Sequence, residues 1–206
     1  MSAPRIAVFV SGGGRSLENL VELERRGELG ATVALVVANR PGIGALERAR
    51  RLAIPSVVLD PDRQLAPAEF SRDAFLAVES FRCDLVVLAG FLRLLVIPEA
   101  WLGRVLNIHP SLLPAFGGKG CYGHKVHEAV LARGCTVSGC TVHYVTNEYD
   151  AGPILLQRAC EVRPDDTPDT LAARVYAEET RALPEAVRLH VADDPRAVRA
   201  RERARG

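Results

Sequence analysis

The chain lacks any apolar run approaching the roughly 18 residues that a membrane-spanning helix requires, which argues against a membrane partner. Its cysteines are few and unpaired in pattern: five, at positions 83, 121, 135, 140 and 160, with no C-x-x-C spacing. That excludes a disulfide framework and a cysteine metal motif, so the cysteines read as reduced, mostly buried small hydrophobes. Cys121 stands apart because it lies in a glycine-rich loop. Excess charge of one sign is also missing, since 26 Lys and Arg face 25 Asp and Glu for a net charge of +1. A general nucleic-acid footprint is therefore not expected. Carboxylate–His spacing typical of zinc is absent, and no metal is expected. Neither a Walker pattern nor G-x-G-x-x-G occurs. No internal repeat or linker is evident. Residues 1–4 lead straight into a strand-like run without a signal-peptide pattern, so a cytoplasmic location is expected.

What is present is an alternation of strand and helix signals over 206 residues, 48% of them hydrophobic and 25% charged, as suits one globular domain. "RIAVFV" (5–10), "TVALVVAN" (32–39), "SVVLD" (56–60), "DLVVLAGF" (84–91) and "RVLNI" (104–108) are near-continuous apolar runs. Amphipathic helical stretches lie at 16–27, 45–53 and 67–81. Continuous apolar strands with helices between them predict a mostly parallel α/β sheet with helices on both faces. "CTVSGCTVHYVT" (135–146) and "GPILLQRACEV" (152–162) are separated only by "NEYDA", too short for a crossover. They predict an antiparallel pair at one edge. Residues 166–191 predict a long closing helix, capped by Asp and Thr residues and bent at Pro184. The Arg-rich end, "RAVRARERARG", reads as a solvated helix face or a frayed tail rather than a binding arm.

In an open parallel sheet, ligands bind beyond the carboxyl ends of the strands. "SGGGRS" (11–16) and "NIH" (107–109) both fall at such ends. Glycines followed by a helix N-terminus have the physics of an anion site, and Arg15 and Ser16 stand beside it; a tight strand-to-helix turn is the alternative. The spacing suits a single phosphate monoester better than a dinucleotide. Asn107 and His109, two apart on a strand, point to one side. An amide N–H and an imidazole can together stabilise an oxyanion and move a proton, or they can be a satisfied structural pair. Asp150, before Ala-Gly-Pro, either shapes its turn or reaches the His109 imidazole and raises its pKa. His124, His127 and His143 have structural readings at a helix start and in a strand.

These pieces resemble the phosphoribosylglycinamide formyltransferase family, folate-dependent enzymes of purine synthesis. The resemblance is carried by "IAVFVSGGGRSLENL", "DLVVLAGFLRLL", "RVLNIHPSLLPAFGGKGCYGHKVHEAVLARG", "SGCTVHYVTNEYDAGPILLQ" and "DTPDTLAARVYAEE". It implies a single-domain Rossmann-like formyltransferase fold over residues 1–190, with 191–206 as a basic C-terminal tail. It implies transfer of formyl from 10-formyltetrahydrofolate, as co-substrate, to the amine of 5'-phosphoribosylglycinamide. Alternatives within the superfamily are a 10-formyltetrahydrofolate hydrolase and a sugar N-formyltransferase. The hydrolases typically read "HHS" where this chain has "HPS" at 109–111. Methionyl-tRNA formyltransferases carry a further C-terminal domain for which this chain is expected to be too short.

The resemblance also implies roles. Asn107, His109 and Asp150 match a catalytic trio. Gly12, Gly13, Gly14, Arg15 and Ser16 match the loop that holds the substrate phosphate, although the family usually has Ser-Asn where this chain has Arg15-Ser16. Glu179 matches a carboxylate that contacts the ribosyl substrate. Arg72 and the run Leu92, Arg93, Leu94 and Leu95 match positions lining the folate site, where the leucines would cover the ring. Thr146, Asn147, Glu148, Tyr149 and Asp150 match a loop closing over the same ring. Nothing specific is implied for "FGGKGCYG" (116–123). The partners implied are small molecules, with either a monomer or a homodimer open.

Overall fold

The computed structural model describes residues 3–60 and 64–205. Seven strands run in chain order: β1 (Arg5–Val10), β2 (Thr32–Ala38), β3 (Ser56–Val58), β4 (Leu85–Leu88), β5 (Val105–His109), β6 (Val137–Tyr144) and β7 (Ile154–Glu161). They form one sheet in the order β3-β2-β1-β4-β5-β6-β7. β1 to β5 pair in parallel, while β6 and β7 run antiparallel at one edge. Six helices connect and cover them: α1 (Arg15–Arg25), α2 (Gly44–Arg51), α3 (Pro67–Ser80), α4 (His124–Ala132), α5 (Pro168–Val191) and α6 (Pro195–Arg205). The mostly parallel sheet, its antiparallel edge pair and the helices between strands are those the apolar runs predict; the strand order is not written in them. Strand ends differ by one to three residues, most clearly at β4, which stops at Leu88 where the chain turns toward the cavity described below.

The continuous apolar runs exist because both sheet faces are covered. Ile6, Val8 and Val10 of β1 enter one core with Leu17, Leu20, Ala45, Leu171, Val175 and Leu183. Ala7 and Phe9 enter the other, with Phe70, Ala74, Phe75, Val78 and Trp101. Strand periodicity sends alternate residues to opposite cores, so every position must be apolar.

The Arg-rich C-terminal segment is not a frayed tail. Ala197, Ala200 and Ala204 of α6 are buried in the same core as α5. Alanines at helical spacing make a narrow apolar stripe, and their small size lets the helix approach closely while the arginines stay at the surface. The segment expected as a basic tail thus packs on the core shared with the helix before it. Pro184 sits inside α5 and has no N–H for the Thr180 carbonyl. That carbonyl is instead taken by Asn19 Nδ2 at 2.8 Å, which ties α1 to α5. Among the described residues, no helix is long and apolar enough to cross a membrane.

Candidate active site

The strand order reverses between β1 and β4: the chain steps outward from β1 to β3 on one side, then returns to the other. The crevice beyond the carboxyl ends of these strands is where an open α/β sheet binds its ligands. A cavity of about 700 Å³ opens there, a size suited to small-molecule substrates. Residues 12–16, 89–92 and 107–110 line it from the ends of β1, β4 and β5. Residues 118–124, Tyr149, Asp150 and, from α5, Tyr176 and Glu179 complete the wall.

The turn after β1 is held by sterics as much as by hydrogen bonds. Gly14 caps α1 in the left-handed region with φ of 77°. A Cβ there would lie 2.7 Å from both Ala45 Cα and Ala45 Cβ, so only glycine serves. The first helical bond runs from Glu18 N–H to the Gly14 carbonyl at 3.1 Å. Residues 15–17 thus carry N–H groups with no acceptor within the helix, at its positive dipole end. Arg15, the first helical residue, places its guanidinium 3.8 Å from the centre of the Tyr176 ring. A cation at a helix N-terminus opposes the dipole, and stacking on an aromatic face offsets that cost. Beside them Glu179 is recessed: burial pushes its carboxyl up to about 7, while the Arg15 guanidinium pulls it down.

At the end of β5, Asn107 and His109 face the cavity from one side of the strand. β5 pairs with β6 in a register that sets Asn107 opposite His143. The His143 ring is buried, with Nδ1 3.0 Å from the Tyr144 carbonyl. A carbonyl only accepts, so Nδ1 carries a hydrogen. Nε2 lies 3.1 Å from Asn107 Nδ2 and 3.6 Å from Asp150 Oδ1, accepting from the amide in the neutral ring and donating toward the carboxylate in the protonated one. The second amide hydrogen of Asn107 is engaged only loosely, by Asp150 Oδ1 at 3.5 Å.

Asp150 reaches the same point from the β6–β7 connection, with φ of 54°. Its Oδ2 accepts from Gly118 N–H at 2.9 Å and lies 3.5 Å from His109 Nδ1. On the far side of the imidazole, Nε2 lies 2.9 Å from the Phe116 carbonyl. Both ring nitrogens therefore face acceptors, which only the doubly protonated ring could satisfy. Burial works against that charge and lowers the His109 pKa, with Asp150 and the Phe116 carbonyl pulling it back up. The expectation that Asp150 raises the His109 pKa holds for its own contribution but not for the net direction, because desolvation is larger. For Asp150, burial pushes the carboxyl up, but the rings of His143 and His109 and the Gly118 N–H outweigh it and hold it below the ordinary carboxylate range.

The structure brings together residues 12–16, Asn107, His109, Asp150 and Glu179 in one cavity, with Leu92 and Tyr149 half-exposed on its wall. It does not bring in the rest of the expected folate-side set. Arg72 is exposed beside Asp73 and lines a separate hollow of about 290 Å³ with Leu76 and Val96. Arg93, in the segment after β4, is committed to an ion pair with Asp60 and to stacking on Phe70 of α3. Leu94 is half-buried away from the cavity and Leu95 is in the core. Thr146, Asn147 and Glu148 also lie off the cavity wall. Asn147 Oδ1 accepts from Ile97 N–H at 2.7 Å, and Glu148 N–H reaches Thr146 Oγ1. Cys121 lines the cavity; only Cys83 and Cys140 are fully buried, the others being half-buried. Burial raises the Cys83 thiol to about 11 and that of Cys140 to about 12.

Sequence reasoning missed His143 and Tyr176. His143 reads as a strand residue, and only the β5–β6 register shows that it orients the Asn107 amide. Tyr176 lies three residues before Glu179, one helical turn away, and that spacing was the available signal.

Residues 4–187 match the family described as formyl transferase. The chloroplastic phosphoribosylglycinamide formyltransferase of Arabidopsis thaliana is 43% identical over 190 residues, covering 89% of this chain and 64% of that protein. The phosphoribosylglycinamide formyltransferase of Bacillus subtilis is 34% identical over 186 residues, covering 89% of this chain and 93% of that one. The crystal structure of glycinamide ribonucleotide transformylase 1 from Symbiobacterium toebii superposes with a TM-score of 0.86 at 40% identity, over 92% of this chain and 88% of that chain. The chain spans between 18% and 64% of the length of several vertebrate and plant relatives that it matches.

Proposed function

The chain belongs to the formyl transferase family, and on that premise we propose that it transfers the formyl group of 10-formyltetrahydrofolate to the amine of 5'-phosphoribosylglycinamide. The observation that carries this reading is one cavity holding two unlike halves. An anion-type turn with Arg15 and Glu179 lines it, and so does the Asn107–His109–Asp150 group. The first half suits a phosphorylated ribosyl acceptor, its phosphate on the N–H groups and dipole end of α1. The half-exposed Leu92 and Tyr149 offer apolar surface to the ring of the donor, which supplies an activated formyl carbon.

As the acceptor amine attacks that carbon, negative charge develops on the formyl oxygen. Asn107 donates the amide hydrogen that Asp150 holds only at 3.5 Å, since His143 takes the other. His109 Nε2–H exchanges the Phe116 carbonyl for the formyl oxygen. A buried imidazole gives its proton up readily, and developing charge beside it draws one in, so the ring is matched to a transient anion. Asp150, kept ionised, relays the proton lost by the amine to the leaving nitrogen of the donor, so no net proton is gained or lost. Holding both substrates across one crevice supplies proximity.

The test is formyl-donor turnover measured spectroscopically with and without glycinamide ribonucleotide. Turnover that requires the ribonucleotide and vanishes in His109→Ala is expected. Release of formate without any acceptor would overturn the transferase reading in favour of a hydrolase.

A further inference from the structure

Two arginines hold the turn after β1 from behind the cavity wall. Arg40, just beyond β2, sets Nε and Nη2 on the Ser11 carbonyl at 2.9 and 2.6 Å. Arg48, on α2, donates from Nε to the Gly13 carbonyl at 2.8 Å. Between them, Ala45 N–H donates to the Gly12 carbonyl at 3.1 Å. Three consecutive carbonyls are thus drawn onto one short stretch, residues 40–48. Neither arginine lines the cavity.

A carbonyl facing a bound phosphate repels it, and a carbonyl held by a cation on the far side cannot turn to do so. Charge supports the same arrangement. Glu18, in the first turn of α1, would oppose an anion at that helix's start, but Arg48 and Arg51 both pair with it. The closeness of Gly14 to Ala45 makes the turn and the start of α2 a single packed unit.

We propose that Arg40 and Arg48 are positioning residues for the acceptor: they hold the carbonyls of Ser11 and Gly13 away from the cavity, so that the turn presents N–H groups to a phosphate monoester. This rests on the reading that residues 12–16 hold the acceptor's phosphate. The two arginines differ in reach. Ser11 Oγ accepts from Leu92 N–H at 3.0 Å, so Arg40 fixes a residue shared with the donor side of the cavity. Arg48 has no such link. Loss of Arg48 therefore touches the acceptor alone, whereas loss of Arg40 touches both substrates.

Calorimetric binding of ribose 5-phosphate and of ribose tests this, together with steady-state kinetics. The wild type binds the phosphate ester and not the sugar. Arg48→Met weakens that binding about tenfold, consistent with loss of a charge-assisted contact. It raises KM for the ribonucleotide by a similar factor and leaves kcat and the donor KM unchanged. Arg48→Lys, which keeps a cationic donor, recovers most of the loss, and Arg40→Met raises both KM values. Unaltered ribose 5-phosphate affinity in a folded Arg48→Met variant overturns the proposal, as does a failure of lysine to rescue. A wild type that cannot tell ribose 5-phosphate from ribose overturns instead the phosphate reading on which it stands.

Discussion

The two ends of the cavity are built differently. The turn after β1 is local: five consecutive residues, a glycine cap that no other residue could replace, and the start of a helix. The end of β5 is assembled from distant pieces. Asn107 meets His143 across a strand pair, and Asp150, 43 residues along the chain from Asn107, arrives on a connection. Backbone N–H groups and a dipole suffice to hold a charge that is already present. Stabilising a charge that appears only during reaction takes side chains with a movable proton, held in a partly desolvated pocket. That difference predicts that the two ends can be damaged separately.

The sharpest break is His109→Ala. Loss of an oxyanion donor elsewhere has cost roughly 10² to 10³ in kcat, and a loss of that size is expected here. Ribose 5-phosphate affinity should stay within about twofold of the wild type, the usual independence of sites without shared partners. A parallel fall in both would mean that the two ends are one unit. Asp150→Asn is the next largest. Asparagine tolerates the positive φ of this position and keeps an acceptor for Gly118 N–H, so the fold should survive. Without the carboxylate, kcat should fall by about 10²-fold, the low end for lost acid–base help, again with phosphate affinity intact. Equal loss of both would remove Asp150 from the chemical end.

Gly14→Ala attacks the other end. The added Cβ meets Ala45 at 2.7 Å and forces a φ of 77° on an L side chain. A cost of about 1–3 kcal/mol is expected from strain and overpacking, read from denaturant midpoints, with a raised ribonucleotide KM and an unchanged kcat for the folded fraction. A variant that binds ribose 5-phosphate normally would show that the turn does not need this geometry.

The contrast also explains what could be read from sequence. The parallel sheet was legible because strands buried on both faces must be apolar throughout, as Ile6 to Val10 are. The strand-to-helix turn was legible because it is built from adjacent residues. Asn107 and His109 were visible as a pair through strand periodicity, but His143 was not, since its relation to Asn107 depends on the β5–β6 register. The Phe116 carbonyl on His109 was hidden for a similar reason: it is a backbone group in a loop whose course depends on tertiary packing. For Arg72 a family position fixes where the residue starts and not where its long side chain points, and the exposed side chain lies outside the cavity lining. Of the two readings of the C-terminal arginines the solvated helix face holds, and what their charge concealed is the three alanines that dock that helix.

The smallest effect lies where the acceptor end borrows a titratable group. Glu179 is held at about 7 against an ordinary value of 4.5, mainly by burial. The folded chain then keeps a proton that the unfolded chain releases. Stability from this group is full below pH 4.5 and is lost as the pH rises through about 7. Glu179→Gln removes that loss, so the variant should gain on the wild type across this window and run parallel to it above. At 1.36 kcal/mol per pKa unit the shift sets an upper bound of about 3 kcal/mol, and water in the open cavity brings the expected gain to about 1–2 kcal/mol. Thermal unfolding of both proteins at pH 4.5, 6, 7 and 8.5 measures it. A pH-independent offset would mean that Glu179 titrates alike in the folded and unfolded chain, with no proton held by burial. A gain confined to the window would mean that burial in the folded chain holds the proton on Glu179.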